Sequence, residues 1–392
     1  MRVILIAADW NNTGPVERQA ITLAEGLARF EVKSLIISSQ LRERKLNPEL
    51  PVVIRNFPVH EKTAAYEIYR LPVRLMMTRK RLLFFYLRVF WILFKRLWGF
   101  DVIQGIQLHT NGGLAAKLAR IFGKKCVIKV VSGGFSGDLA LFSGMPMSSR
   151  LNQWVRTANA FVTLNDDVTR DLVRAGLPKI RMRKIIDGVD TGHFRPLGSH
   201  EAKRKSRRSL GLGDKRLVIF IGRLIEENNL DALMLAWQKV AAHISDARLI
   251  IMGDGVLRQP LESYVHQLGV DRALKFMGMP DDTAPYFQSA DVFVYPARSI
   301  AVATSVLEAM SCGIPVVTSR IAGTADIMVE NETGILCEPG DVRGLATALV
   351  YLLENEHDAE SMGRAARLRI EKNFSIEAYA RRYLGLYQKL IA

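Results

Sequence analysis

The sequence predicts an α/β protein of two Rossmann-like domains, each built on a mainly parallel sheet with helices between its strands. Three observations carry that expectation. Short apolar runs of buried-strand length alternate with amphipathic helical stretches from the first residues onward. One stretch, residues 289–319, packs a strand, a tight crossing, a helix and a second strand into a single short unit. The chain has 392 residues, 49% of them apolar, enough for two cores of roughly 150–200 residues each and too many for a disordered chain.

In chain order, residues 1–9 form an apolar run too short for a signal peptide, and they read as a first buried strand on the cytosolic side. A polar loop containing Thr13 and Gly14 follows, placed where backbone amides can face an anion. Residues 20–29 then suggest an amphipathic helix and 31–37 a second strand. Residues 62–100 are the most unusual part of this half. Nine cations, among them Arg70, Arg79, Lys80, Arg81 and Arg88, face the single acid Glu67, and Phe84, Phe85, Phe90, Trp91, Phe94 and Trp98 are interleaved with them. The apolar run at 82–94 contains Arg88 and is too short to span a bilayer. It reads as a basic, aromatic helix lying in a membrane interface, or as a core helix whose cations snorkel outward.

Strands are expected at 101–106 and 125–131, with a helix at 112–122 between them. The next loop, 132–138, carries Ser132, Gly133, Gly134 and the lone carboxylate Asp138 just beyond a strand's carboxyl end, where α/β sheets bind ligands. A strand at 160–164, a helix at 166–175 and the segment 184–190 close the half. Residues 200–209, rich in Lys and Arg, read as a solvated basic helix or linker.

The second half opens with a buried strand at 217–222 that ends in Gly222-Arg223. A permanently charged guanidinium at a sheet's carboxyl edge suits bidentate phosphate contact. Further strand-and-turn signals lie at 249–255 and 275–279. In 289–319, Pro296 stops the strand 292–295, Thr304 or Ser305 can cap the following helix, and Gly313-Ile314-Pro315 ends it. Glu308 sits one turn into that otherwise apolar helix, where an unpaired buried carboxylate would be costly. The final helix, 375–390, places Tyr379, Tyr383 and Tyr387 on one stripe.

The run from Ala290 to Val317, with Leu307-Glu308-Ala309-Met310 at its centre, resembles the donor-site signature of the retaining, family-four glycosyltransferases, the glycosyl transferases of group 1. Other turns along most of the chain resemble the family as well. The resemblance implies a GT-B fold, two Rossmann-like domains facing a central cleft. Residues 1–190 would form an acceptor-side domain onto which helix 375–390 returns, and residues 191–374 would bind a nucleotide sugar. Transfer from a UDP- or GDP-sugar to a glycan or lipid-linked acceptor, with retention of anomeric configuration and no metal, is the implied activity, in cell-envelope or exopolysaccharide synthesis. Arg223 and Glu308 would act at the diphosphate and the ribose, Asp138 at an acceptor hydroxyl. Gly14, Asn228, Met279, Ile300, Thr304 and Ser305 would line the donor side, and Thr13, Ser132, Gly133 and Gly134 the acceptor side.

The match departs from the family pattern at defined places. The first of two glutamates eight residues apart falls at Ile300, and a lysine five residues after the strand-end arginine is Asn228. Thr13 replaces a glycine, residues 301–303 replace a glycine-rich turn, the acceptor-loop histidine is absent, and Asp187 stands for the Asn of an Asn-Gly-Val-Asp motif. Two readings stay open: a transferase with a reshaped donor pocket, and a catalytically degenerate member that binds a membrane or a partner subunit.

The net charge of +15 and pI near 9.8 call for an anionic partner. Phosphorylated substrates and an anionic surface on the inner face of the plasma membrane, met through residues 70–98, fit. Nucleic acid does not, because no reading module accompanies the basic clusters. Cys126, Cys312 and Cys337 are widely spaced in apolar surroundings and read as buried free thiols without metal-ligand spacing.

Overall fold

The computed structural model describes residues 1–8, 15–41, 60–73, 79–95, 99–131, 148–299 and 304–392. They form two compact units, one of Met1–Gly188 with Ile376–Ala392, the other of Val189–Ser375.

In the first unit, β1 (Arg2–Ile6) leads to α1 (Pro15–Ala28), β2 (Lys33–Leu41), β3 (His60–Lys62) and β4 (Tyr66–Val73). Then come α2 (Arg79–Phe94), β5 (Val102–Ile106), α3 (Thr110–Ile121), β6 (Lys125–Lys129), α4 (Ser148–Val155), β7 (Ala160–Thr163), α5 (Asp166–Arg174) and β8 (Met182–Lys184). Among the described residues the strands make one sheet in the order β3-β4-β2-β1-β5-β6-β7-β8, parallel except for the β3–β4 hairpin. Interior strands such as β5 and β7 are buried throughout, which explains their mainly apolar sequences, and the buried Gln104 of β5 accepts a hydrogen bond from the Tyr387 hydroxyl.

The C-terminal helix, Ile376–Ile391, completes this core, with Tyr379, Tyr383 and Tyr387 at most 1% exposed beside Leu23, Ala24 and Leu27 of α1. The tyrosine stripe is therefore a packing face. Gly26 makes room for it, since a Cβ there would come within 2.8 Å of Ala380 Cβ. Below the stripe lies a buried charge. Lys129, with no exposed side-chain area, forms an ion pair and a short hydrogen bond with Asp187, and its Nζ also donates to the Tyr379 hydroxyl at 3.3 Å. Asp187 thus partners a lysine from a strand 58 residues earlier.

The second unit contains α6 (His200–Ser209), β9 (Arg216–Ile221), α7 (Leu230–His243), β10 (Ala247–Met252), α8 (Arg258–Leu268), β11 (Leu274–Met277), α9 (Ala284–Ser289) and β12 (Val292–Tyr295). It continues with α10 (Thr304–Ser311), β13 (Val316–Ser319), α11 (Ala322–Ala325), β14 (Gly334–Cys337), α12 (Val342–Glu354) and α13 (Glu356–Asn373). The parallel sheet runs β11-β10-β9-β12-β13-β14. In this order the first strand of the unit is central, and the chain winds outward from it in both directions.

Residues His200–Ser209 form a basic helix, α6, mostly exposed as its composition suggests, with one buried anchor. Ser199 caps it by accepting from Ala202 N at 3.1 Å. Arg207 is buried, donates through Nε to the Ser289 carbonyl at 2.7 Å and pairs with Asp291, which also binds Lys203 at 2.7 Å. Those two cations and the Leu217 N–H hold the Asp291 carboxyl below its ordinary range although burial pushes it up. The three cysteines are free and buried, and burial raises each thiol.

Candidate functional site

A doubly wound sheet opens a crevice where its winding reverses, beyond the carboxyl ends of the two strands concerned. In the second unit that point lies between β9 and β12, which pair through Val218–Val292 and Ile219–Phe293. Arg223 follows β9 and is exposed, and α10 follows β12 with Thr304 exposed and Ser305 half-buried in its first turn. An exposed guanidinium and a helix N-terminus therefore flank one crevice, two features that each favour an anion.

The turn carrying Arg223 is fixed by its neighbours. Gly222 N donates to the Met252 carbonyl at 3.0 Å, and Leu224 N to the Asp254 carbonyl at 3.0 Å. This close passage of two loops requires glycines. Gly253 has φ 146°, and a Cβ on it would lie 1.8 Å from the Gly222 oxygen. Between these anchors the Arg223 carbonyl accepts from Asn228 Nδ2 at 2.6 Å, while Asn228 Oδ1 accepts from the Tyr295 hydroxyl at 2.9 Å. Asn228 is 2% exposed. Its amide is spent inside the unit, on the backbone of Arg223, where the sequence suggests a donor contact.

The loop after β9 is also tied twice to the loop after β12. Asn229, in the left-handed region at φ 53°, donates from Nδ2 to the Pro296 carbonyl at 3.1 Å, and Arg298 N donates to the Glu227 carbonyl at 2.8 Å. Tyr295, stacked on Phe220 with centroids 5.6 Å apart, has its hydroxyl pKa raised by burial against the opposing pull of Arg223 and Asn228. It stays a neutral donor. Tyr295 braces the Arg223 turn through Asn228, a contact that sequence reading missed because the amide lies 67 residues away.

Glu308, on α10 one turn beyond Thr304, is half-buried and engaged with another group. Met279, after β11, is 51% exposed. Ile300 and residues 301–303 lie outside the described residues, as do Thr13, Gly14, Ser132, Gly133, Gly134 and Asp138. A surface depression of about 1020 Å³ lined by Arg320, Cys337, Asp341, Tyr351 and Asp358 contains none of the candidate residues. The strand-end geometry, and not the size of a hollow, locates the site.

In the first unit the corresponding reversal falls between β1 and β5. Asn111, fully buried at the start of α3, donates to the carbonyls of Ala8 at 2.9 Å and Ile106 at 2.7 Å, bracing both strand ends. His109 beside it is 4% exposed, and burial lowers its pKa to about 4. Glu17, in the first turn of α1, accepts from buried Arg70 of β4 at 2.9 Å and from Ser38. The basic stretch 62–100 thus holds a strand that its composition conceals.

Comparison with known proteins agrees with this geometry. Solved structures of the GT-B class superpose over the whole chain. One of them, Anabaena Alr3699/HepE in complex with UDP-glucose, covers all of both chains at a TM-score of 0.77 and 15% identity, a likeness of fold alone. The fold class is GT-B, two Rossmann-like parallel-sheet units in one chain. Residues 202–369, most of the second unit, match the family model of glycosyl transferases group 1. It is 33% identical over 240 residues to the sulfoquinovosyl transferase SQD2 of Arabidopsis thaliana, spanning 58% of this chain but 44% of that one. It is 28% identical over 285 residues, 70% of this chain and 73% of the other, to a GDP-mannose-dependent α-(1-6)-phosphatidylinositol monomannoside mannosyltransferase of Mycolicibacterium smegmatis.

Proposed function

We propose that the protein transfers a sugar from a nucleoside diphosphate donor to a glycan or lipid-linked acceptor of the cell envelope, with retention of anomeric configuration. The observation that carries this reading is the clamped Arg223 turn beside the α10 N-terminus at the sheet's winding reversal. Departure of a nucleoside diphosphate leaves negative charge on the β-phosphate while the anomeric carbon becomes cationic. A catalyst must offer preorganised positive groups to that charge. Arg223 supplies a permanently charged guanidinium on a clamped turn for bidentate phosphate contact, and the first turn of α10 supplies N–H groups, hydroxyls and a helix dipole. These protein groups replace a metal ion. Glu308 accepts hydrogen bonds from the ribose hydroxyls, and the backbone around Met279 faces the base.

The relatives support the substrate class. The HepE structure holds UDP-glucose, and the mycolicibacterial relative uses GDP-mannose with a phosphatidylinositol monomannoside. A membrane-lipid acceptor places the enzyme peripherally, on the cytoplasmic face of the plasma membrane, and the basic helix α2 supports that location. The sequestered Asn228, which offers no charge to a diphosphate, supports the second reading, a binding subunit with an emptied donor site.

The test is to incubate the purified protein with UDP-glucose or GDP-mannose and a bacterial membrane-lipid extract, in buffer with EDTA. Release of the nucleoside diphosphate and an α-anomeric product by NMR are expected. Nucleotide binding without product from any extract would favour the binding-subunit reading, and loss of transfer in EDTA would overturn the metal-free mechanism.

A further inference from the structure

Helix α2 is apolar on two opposite sides, and only one of them is used. Phe85, Val89 and Leu93 are at most 3% exposed, and Phe90 stacks on Phe122 at the end of α3 with centroids 5.6 Å apart. These contacts fix the helix on its unit. The other side carries Leu83, Phe84, Leu87, Trp91 and Phe94, each between 45% and 58% exposed. At roughly 100° per residue these five fall within an arc of about 100°, so they form one continuous stripe rather than scattered side chains. A contiguous exposed stripe of large apolar groups marks an interaction surface.

We propose that this stripe docks the protein on an anionic lipid bilayer, with α2 lying in the plane of the interface. Charge selects this occupant. From Arg79 to Arg96 the sequence has six cations, Arg79, Lys80, Arg81, Arg88, Lys95 and Arg96, and no acid. Arg88 and Lys95 are exposed and project from the border of the apolar arc, and the Arg88 guanidinium lies over the Phe84 ring, 4.8 Å from its centroid. Cations bordering Leu, Phe and Trp suit a surface where the rings enter the acyl boundary and the charges meet phosphates. The helix has 16 residues, about 24 Å of length, and no helix among the described residues is long and apolar enough to cross a membrane. The inference deepens the proposed membrane location by naming its surface, and it does not depend on the donor site.

The test is co-sedimentation of the full chain with phosphatidylcholine vesicles, with and without phosphatidylglycerol. The wild type is expected to bind the phosphatidylglycerol vesicles at least about tenfold more tightly, as several interfacial cations require. Leu87→Glu with Trp91→Glu, at exposed positions where folding is undisturbed, is expected to weaken that binding at least about tenfold, with circular dichroism unchanged. Quenching of Trp91 by brominated lipid, compared with Trp91→Phe, reports whether the stripe itself enters the bilayer. Equal binding by wild type and variant, or no binding to either vesicle, overturns the proposal. So does concentration-dependent dimerisation of the wild type that the variant abolishes, because the stripe would then be an interface between copies. UDP-glucose and GDP-mannose binding measured on the same samples separates this outcome from failure of the transferase reading.

Discussion

Replacing Asp187 by Asn brings in the residue expected from the motif that this segment resembles, yet here it should unfold the first unit more easily. Lys129 has no exposed side-chain area, and its partners are the Asp187 carboxylate and the Tyr379 hydroxyl at 3.3 Å. An asparagine in place of Asp187 would keep the shape and remove the charge, leaving an ammonium in the core with neutral oxygens only. Breaking a buried pair from one side costs about 3–5 kcal/mol, because the remaining charge stays desolvated. For a unit of this size that is a fall in melting temperature of roughly 6–20 °C. Lys129→Met together with Asp187→Asn removes both charges and should recover most of the loss. Differential scanning calorimetry of the wild type, the single variant and the double variant reads this directly. A single variant within about 2 °C of wild type, or a double variant as unstable as the single one, would refute the assignment of Asp187 as the counter-charge of Lys129.

Other consequences follow from the same contacts. His109 should make the first unit acid-sensitive. Its folded pKa of about 4 lies below that of an unfolded histidine near 6.5, so the unfolded chain takes up the proton first. Its contribution is intact above pH 6.5 and is lost at roughly 1.4 kcal/mol per pH unit as the pH falls toward 4. His109→Leu removes no cap hydrogen bond and should flatten that part of the stability profile, measured by urea unfolding at each pH. An unchanged slope would show that the ring is solvated. Gly253→Ala should cut nucleotide binding by at least about tenfold while the sheet stays folded, because its Cβ would strike the Gly222 oxygen and displace the Arg223 turn. Affinity equal to wild type would show that the turn does not position Arg223.

The fold was legible wherever a local pattern was sufficient. The strand at Val292–Tyr295 and the helix from Thr304 are written in adjacent residues, a buried apolar run stopped by proline and an apolar helix ended by glycine and proline. The tyrosine stripe of the last helix is visible in its spacing, while its return to the first domain was implied by the family resemblance. What stayed hidden depends on partners distant in sequence. Nothing near Asn228 reveals that the hydroxyl of Tyr295 will hold its amide inward, so the residue looks like a missing charge when it is a strut for Arg223. Nothing near Arg207 reveals Asp291, so the one docked side chain of the basic helix is not visible in the sequence. The strand at Tyr66–Val73 was concealed by the same effect. Arg70 reads as one of many surface cations until Glu17 and Glu61 are brought to it from two other elements.

The central claim is that Arg223, held by a backbone clamp beside the α10 N-terminus, binds the diphosphate of a nucleotide sugar. Isothermal titration calorimetry with UDP-glucose and GDP-mannose, on the wild type and on Arg223→Ala, tests it most directly. Arg223 is exposed and its turn is held through backbone groups, so the variant should fold as the wild type does. The account predicts binding of at least one donor by the wild type and a loss of about tenfold or more in the variant, the worth of one charge-assisted bidentate contact. Equal affinity in the two proteins would contradict it.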